Sequence, residues 1–296
     1  MRGVHALAFC ALASIASAAN AQEIDWKKVD EAIGRSAAAV AGDVHRYAFP
    51  RSDLSVTVDG VTIRPALALG GWTAFKPMHG GVMIMGDLVL LETEINPVML
   101  KLIQNGAEIT AVHNHLLRGS PETFYMHVGG HGDPVKLAAA LRAALAESKT
   151  PLTPPAPAAT HPAIDLDTAQ LDQIIGVKGQ ANGGVYQFAV PRRDPVSEEG
   201  VQLAPVGPLG VATAMGFQPT GGGEAAITGD FVLAAEEVNP VIQALRSNGI
   251  EVTALHSHML TEQPRLFFMH FWANDDALKL ARGLRAALDK TASAKS

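Results

Sequence analysis

The chain of 296 residues has a single cysteine, Cys10, and it falls within the first two dozen residues. A chain that loses that segment has no disulfide and no thiol chemistry. Aromatic residues make up only 5% and Lys plus Arg number 23 against 29 acidic residues, a formal charge of −6. With no basic run and no aromatic-interleaved basic patch, a nucleic-acid surface is excluded. After the N-terminal stretch no apolar run is long enough to span a bilayer, so no transmembrane segment is expected. There is no Gly-x-Ser-x-Gly elbow and no phosphate-binding Gly-Lys-Ser/Thr loop.

What is present begins with a processing signal. Arg2 supplies a positive start, residues 4–15 a short apolar core, and Ala19-Asn20-Ala21 a small-residue cleavage site before Gln22. Residues 1–21 are therefore expected to be removed and the protein to be periplasmic or secreted. Phe9 before Cys10 is too bulky for a lipid-attachment signal, so a lipid anchor is not expected.

The second feature is a duplication. Residues 86–145 align with 229–288 at a constant offset of 143 without a gap, and 30 of the 60 positions are identical. Upstream, VHRYAFPR at 44–51 matches VYQFAVPR at 185–192. Between the copies lies KTPLTPPAPAATHP, 149–162, an extended Pro-rich linker. The expected organisation is a signal peptide at 1–21, a first repeat at 22–148, the linker, a second repeat at 163–290 and a tail at 291–296. Alternating apolar stretches broken by turns, together with helical periodicity at 26–41, after Asn96-Pro97 and after Asp133, predict an α+β fold. Each repeat would carry a mostly antiparallel sheet with two or three helices.

The chemistry concentrates in one stretch that the chain repeats: ITAVHNHLLRGSPETFYMH at 109–127 and VTALHSHMLTEQPRLFFMH at 252–270. Each contains a His-x-His pair and a third His twelve positions after the second. Residues 109–116 and 124–128 read as two strands of a hairpin with turn chemistry between them. Side chains alternate along a strand, so His113 and His115 share a face. A fold-back centred near Pro121 puts His127 across from His115 and diagonal to His113, with Cβ separations of about 5 to 8 Å. His256, His258 and His270 repeat the pattern. Three neutral imidazoles with an open position suit a catalytic divalent transition ion, zinc first among them.

Glu94 and Glu237 are equivalent and precede the Asn-Pro helix starts. Each could be a general base, a further ligand, a partner orienting an imidazole, or a helix N-terminal charge. Asp87 and Asp230, in Gly-Asp, read as turn residues. His131 and His79 have no His counterpart in the second copy, a difference that fits loop drift or a first half specialised for activity. Met126 and Met269 fall on the strand face opposite the histidines and read as core.

GDLVLLETEINPV, NGAEITAVHNHLL and FYMHVGGHGDP, with their second copies GDFVLAAEEVNPV, NGIEVTALHSHML and FFMHFWANDD, resemble the LppY/LpqO family of exported bacterial proteins of unknown function. The resemblance covers nearly all of the chain after residue 21 and implies export and duplication, but no reaction. The His-x-His pair with a third His a dozen residues on is also similar to the zinc site of acetolactate decarboxylase; that likeness would make His113, His115 and His127, or His256, His258 and His270, metal ligands. Together these readings describe a metal-dependent hydrolase or lyase acting on a small molecule, with one three-His site per repeat. The alternatives are a non-catalytic metal-binding protein of the envelope and a small-ligand or partner-binding module without metal.

Overall fold

The computed structural model describes residues 23–153, 163–203 and 209–293. The expected signal peptide with Cys10, the linker from residue 154 on, and the last three residues of the tail lie outside them.

The fold is α+β and duplicated. In the first half a six-stranded antiparallel sheet runs in the order β1 (Ala38–Val40), β2 (Val44–Pro50), β5 (Gly70–Met78), β6 (Gly81–Leu91), β8 (Thr123–Gly132), β7 (Glu108–His113). The second half repeats it with β9 (Gln180–Asn182), β10 (Val185–Pro191), β13 (Ala212–Gly221), β14 (Glu224–Leu233), β16 (Phe267–Asp276) and β15 (Glu251–His256). Helices α1 (Trp26–Ile33), α3 (Glu92–Gln104) and α4 (Pro134–Leu145) cover the first sheet, and α5 (Thr168–Ile175), α6 (Ala235–Ser247) and α7 (Ala277–Leu288) the second. An excursion from each sheet forms a two-stranded hairpin, β3 (Thr57–Val58) with β4 (Val61–Thr62) and β11 (Val196–Glu198) with β12 (Val201–Leu203). The first is followed by a single helical turn, α2 (Pro65–Ala68).

Local chemistry sets several boundaries. The first helix stops at Ile33, short of residue 41, because Gly34 adopts a left-handed φ of 86° and turns its N–H back to the Asp30 carbonyl. The helix expected to begin at Asn96-Pro97 begins at Glu92, and its counterpart at Ala235. The Glu94 carboxylate accepts the Leu91 N–H at 2.9 Å and Glu237 accepts that of Ala234 at 2.7 Å, which caps each helix upstream of the proline. Asp133 caps the last helix of the first half as expected, accepting the Lys136 N–H at 2.9 Å.

The central strand β6 is buried on both faces. Leu88 and Leu90 pack toward the helices with Val98, Leu102 and Leu141, while Met83 and Val89 join clusters that contain residues of the other half. The excursions are exchanged between the halves. Val56, Val58, Ile63 and Leu67 pack with Val185, Ala226 and Trp272, and reciprocally Val196, Leu203, Leu209 and Val211 pack with Val44, Ala74 and Met83. Those eight aliphatic side chains, at about 1.5–3 kcal/mol each, match or exceed a typical net stability of about 5–15 kcal/mol. Separating the halves therefore amounts to unfolding them. Polar ties run alongside: Trp272 Nε1 donates to Asp59 at 3.0 Å, and the Gln218 amide both accepts from Arg64 N and donates to the Thr62 carbonyl at 2.8 Å. The inner faces of the two sheets thus meet across a shared core.

Candidate functional site

Strand β8 lies between β6 and β7, and its register places the site. His127 is paired with Asp87 on one side and Ala111 on the other, while His113 is paired with Tyr125. The hairpin folds back about Gly119 and not Pro121, so His127 is diagonal to His113 as expected but is not across from His115; a bulge follows between Ile109 and Ala111. His115 sits beyond the end of β7 and stacks on the Tyr125 ring, centroids 3.3 Å apart. The second half has the same bulge, the pairs Asp230 with His270 and His256 with Phe268, and His258 stacked on Phe268 at 3.4 Å.

The two triads do not form two separate sites. His113 stacks on His256 with centroids 3.5 Å apart, His115 on His270 at 3.6 Å and His127 on His258 at 3.8 Å. Each contact joins the halves, and the last two exchange under the offset of 143 that relates the copies. The six imidazoles therefore surround an approximate two-fold axis between His113 and His256. The expectation of one three-His site per repeat is corrected: the hairpins lie on inner sheet faces that oppose one another, which merges the triads into one cluster.

Asp87 and Asp230 complete it. Asp87 Oδ2 is 3.8 Å from His115 Nε2 and its Oδ1 is 3.9 Å from His127 Nε2. Asp230 Oδ2 is 3.5 Å from His258 Nε2 and its Oδ1 3.9 Å from His270 Nε2. These spacings are too long for hydrogen bonds. They are close to the roughly 3.3 Å edge between ligand atoms around a tetrahedral ion with bonds of about 2.0 Å. Potential ligand atoms of His113, His115 and His270, and of His113, His127, His256 and His258, lie within 4.8 Å of one another, as do those of each aspartate with its two histidines.

All six Nε2 atoms, with Asp87 Oδ1 and Asp230 Oδ1, are buried without a hydrogen-bond partner among the described residues. Such a concentration of orphaned polar atoms calls for a ligand, since each costs about 1–3 kcal/mol if left unpaired. Some of the rings are anchored by their other nitrogen. His270 Nδ1 donates to the Gly229 carbonyl at 2.8 Å, and His127 bonds to the equivalent Gly86 carbonyl. A donor held this way fixes the tautomer with a free lone pair on Nε2. Burial pushes His113 down to about 4 and His270 down to about 3. Burial, then neighbouring histidines, hold His115, His256 and His258 far below the ordinary imidazole range, and His127 is held low in the same way. The cluster is neutral imidazole, the form that binds metals. Burial pushes Asp87 up to about 7, with Arg46 pulling the other way, and raises Asp230 well above the usual carboxylate range.

Glu94 and Glu237, the candidate general bases, are placed elsewhere. Glu94 Oε2 accepts from buried Arg51 at 2.7 Å, and its Oε1 accepts the Lys149 N–H at 2.9 Å. Glu237 is held by Arg192 and the Ala292 N–H in the same manner. Neither carboxylate belongs to the cluster. Each ties a helix start to the end of its repeat, the helix N-terminal placement among the alternatives read for it. Asp87 and Asp230 are the site residues that the turn reading missed: Gly86-Asp87 is mid-strand, because a Cβ at Gly86 would lie 2.8 Å from the Trp72 carbonyl oxygen on the next strand. Their retention at the constant offset was the available signal. His131 pairs with Glu199 at 3.3 Å beside a small cavity of about 30 Å³ that reaches His127 and His258. His79 is exposed at a turn. Met126 and Met269 are fully buried against the helices, as expected for core.

A cavity of about 580 Å³ opens on the other side of the cluster, lined by Asp87, Asp230, His115, His127, His258 and His270. Its walls carry Arg46, whose guanidinium lies 4.4 Å over the Trp72 ring. Burial pushes Arg46 down to about 10, opposed by Asp87.

Residues 27–147 and 169–290 both match one family model, described as a Domain of Unknown Function (DUF1259). The chain belongs to the DUF1259 family. The expected duplication of a domain of unknown function is thereby shown, and the cluster is built from both DUF1259 copies. A comparison with curated proteins gives no match. Among solved structures, a trimeric bacterial microcompartment shell protein, PduB, is 16% identical, covering 86% of this chain and 90% of that one with a TM-score of 0.22. EtuB from Clostridium kluyveri is 8% identical, covering 86% and 89% with a TM-score of 0.21. Scores of that size do not establish a common architecture. Among the described residues no helix is long and apolar enough to cross a membrane.

Proposed function

We propose that the cluster holds a pair of divalent transition ions, zinc first among them, and that the protein is a metal-dependent hydrolase or lyase acting on a small molecule. The observation that carries this is the convergence of six buried, partnerless Nε2 atoms from both halves. His113, His115 and His270 would hold one ion, and His256, His258 and His127 the other. Asp87 offers one oxygen toward His115 and the other toward His127, and Asp230 does the same toward His258 and His270, so each carboxylate would be available to both. Such ions, when bound, would supply Lewis-acid chemistry suited to a hydrolytic or lyase reaction. The cavity of about 580 Å³ against the cluster gives a small substrate access, which a closed structural metal site does not need. Export through the segment 1–21 goes with this reading, supported by its charge and apolar pattern and by the motif resemblance to the LppY/LpqO family.

Elemental analysis of protein purified without chelators tests it. About two transition ions per chain are expected, released together by a chelator and restored by zinc. A protein with none, and with no tight zinc uptake, overturns the reading.

A further inference from the structure

The large cavity is chemically lopsided. Its floor is the histidine and aspartate cluster, and among the described residues its other charged lining residues are cations, Arg46 on β2 and Lys178 ahead of β9. Arg46 is at the equivalent position to Gln187, so the two halves differ here. Gln187 is satisfied, its amide donating to the Ala66 carbonyl at 2.6 Å. The Arg46 guanidinium has no hydrogen-bond acceptor and no carboxylate within 4.0 Å among the described residues; its contact is the Trp72 ring beneath it. Stacking on an indole fixes the plane of the guanidinium and leaves its edge donors facing the cavity. The partly buried guanidinium feels the Asp87 carboxylate of the cavity floor only from beyond 4.0 Å, so its fork of donors is unused, and that fork matches a carboxylate. Trp72 and the paired, exposed Ala189 and Ala214 supply apolar wall to the same cavity.

We propose that this cavity binds a small organic carboxylic acid, its carboxylate on the Arg46 guanidinium, its apolar body along Trp72, Ala189 and Ala214, and its other end at the metal pair. The site is thereby one-sided although the cluster is two-fold, since only the first half supplies the arginine. The inference rests on the metal reading for the far end of the ligand alone; the carboxylate contact belongs to Arg46.

The test is calorimetric titration of the full-length zinc-loaded protein with benzoate, and with its neutral counterpart benzamide, for the wild type, Arg46→Gln and Arg46→Lys. Arg46→Gln copies the residue that the second half already tolerates, and unchanged zinc content verifies that the variant is folded. Benzoate should bind the wild type, benzamide at least tenfold more weakly, and Arg46→Gln should lose at least tenfold in benzoate affinity while Arg46→Lys loses less. Benzoate affinity equal in Arg46→Gln and wild type, or no benzoate binding to the wild type, overturns the proposal and leaves the metal reading intact. Tighter Arg46-dependent binding of phenyl phosphate than of benzoate overturns the carboxylate assignment in favour of a phosphate ester. A preparation that takes up no zinc defeats the metal reading before any anion is added; the benzoate titration of that metal-free protein then decides the role of Arg46 by the same comparison.

Discussion

His115 and His270 come from different repeats, 155 positions apart in the chain, and their rings stack at 3.6 Å within one set of potential ligands. If both serve the same ion, replacing either by alanine should cripple the same binding event. Zinc sites with four protein ligands have apparent binding free energies of about 10–16 kcal/mol, so one ligand accounts for about 2.5–4 kcal/mol, or two to three orders of magnitude in affinity. After one ligand is gone, the ion is already weakly held or lost, and the second replacement has little left to remove. The double variant should therefore be less impaired than the sum of the single ones, by more than about 1 kcal/mol. Residues serving independent sites add within about 0.5 kcal/mol. The assay is competition for zinc against a chromophoric chelator for the wild type, His115→Ala, His270→Ala and the double variant, with ions per chain counted in each. Additive losses, or His115→Ala removing one ion while the second keeps its wild-type affinity and is then removed by His270→Ala, would refute the shared cluster and restore a private site in each repeat.

Glu94→Ala should lower stability by about 1–3 kcal/mol, read as a fall in denaturation midpoint, because it leaves the fully buried Arg51 with Asp53 as its one remaining carboxylate and the Leu91 and Lys149 N–H groups without their acceptor, while the number of bound ions stays the same. A catalytic Glu94 would instead leave stability unchanged. Gly229→Ala should cost about 1–3 kcal/mol and weaken metal binding, since its Cβ would fall 2.0 Å from the Ala214 carbonyl oxygen and push away the carbonyl that anchors His270; an unaltered melting temperature would contradict it. Chelated protein should lose stability as the pH falls below about 6.5, by about 1.4 kcal/mol per unit for each histidine held neutral, because the unfolded chain takes up protons that the buried rings refuse. Asp87, raised to about 7, contributes with the opposite sign between about pH 4 and 7, but six rings outweigh two carboxylates, so a melting temperature that rises on acidification from pH 7 to 5 would refute the account. If residues 1–21 are the proposed export signal, mass spectrometry of the protein recovered from expressing cells should find Gln22 at its N-terminus, and a chain that keeps Met1 would rule out cleavage.

The repeat, the sheet-and-helix composition of each half and the six histidines were all legible, because identity at a fixed offset and strand or helix period are local signals. The register was not. The strand pairs centre on Gly119 and not on Pro121, which moves His127 four positions along its partner, from His115 to Ala111, and nothing in the turn sequence RGSP announces that centre. Asp87 was misread for a related reason: Gly-Asp is turn chemistry in isolation, yet Gly86 is there because the neighbouring strand leaves no room for a Cβ. The anchoring of Glu94 was not legible because its partner, Arg51, is 43 positions upstream on β2, a contact that no spacing rule reaches. The merging of the triads was beyond the sequence altogether, since it depends on which faces of the two sheets oppose one another.

That opposition also explains why the domain occurs twice in one chain. A single copy would present three imidazoles and one carboxylate on an inner sheet face, beside aliphatics such as Met83 and Val89 that its own helices do not cover. Both deficiencies are made good by a second copy turned through a half-rotation, which supplies the remaining ligands and buries the uncovered face at once. Two separate chains could do the same as a symmetric dimer, but identical subunits must place identical residues on both sides of the axis. Fusion keeps the high local concentration of the partner and removes that constraint. The ligands kept their symmetry, with Asp87, His113, His115 and His127 matched by Asp230, His256, His258 and His270. The walls did not: Arg46 faces Gln187, His131 has become Asn274 and Gly129 has become Trp272. A two-fold set of histidines and aspartates inside a one-sided cavity is what the proposed paired-ion site would need in order to bind an asymmetric molecule in one orientation, and covalent duplication is the route by which this chain can have both.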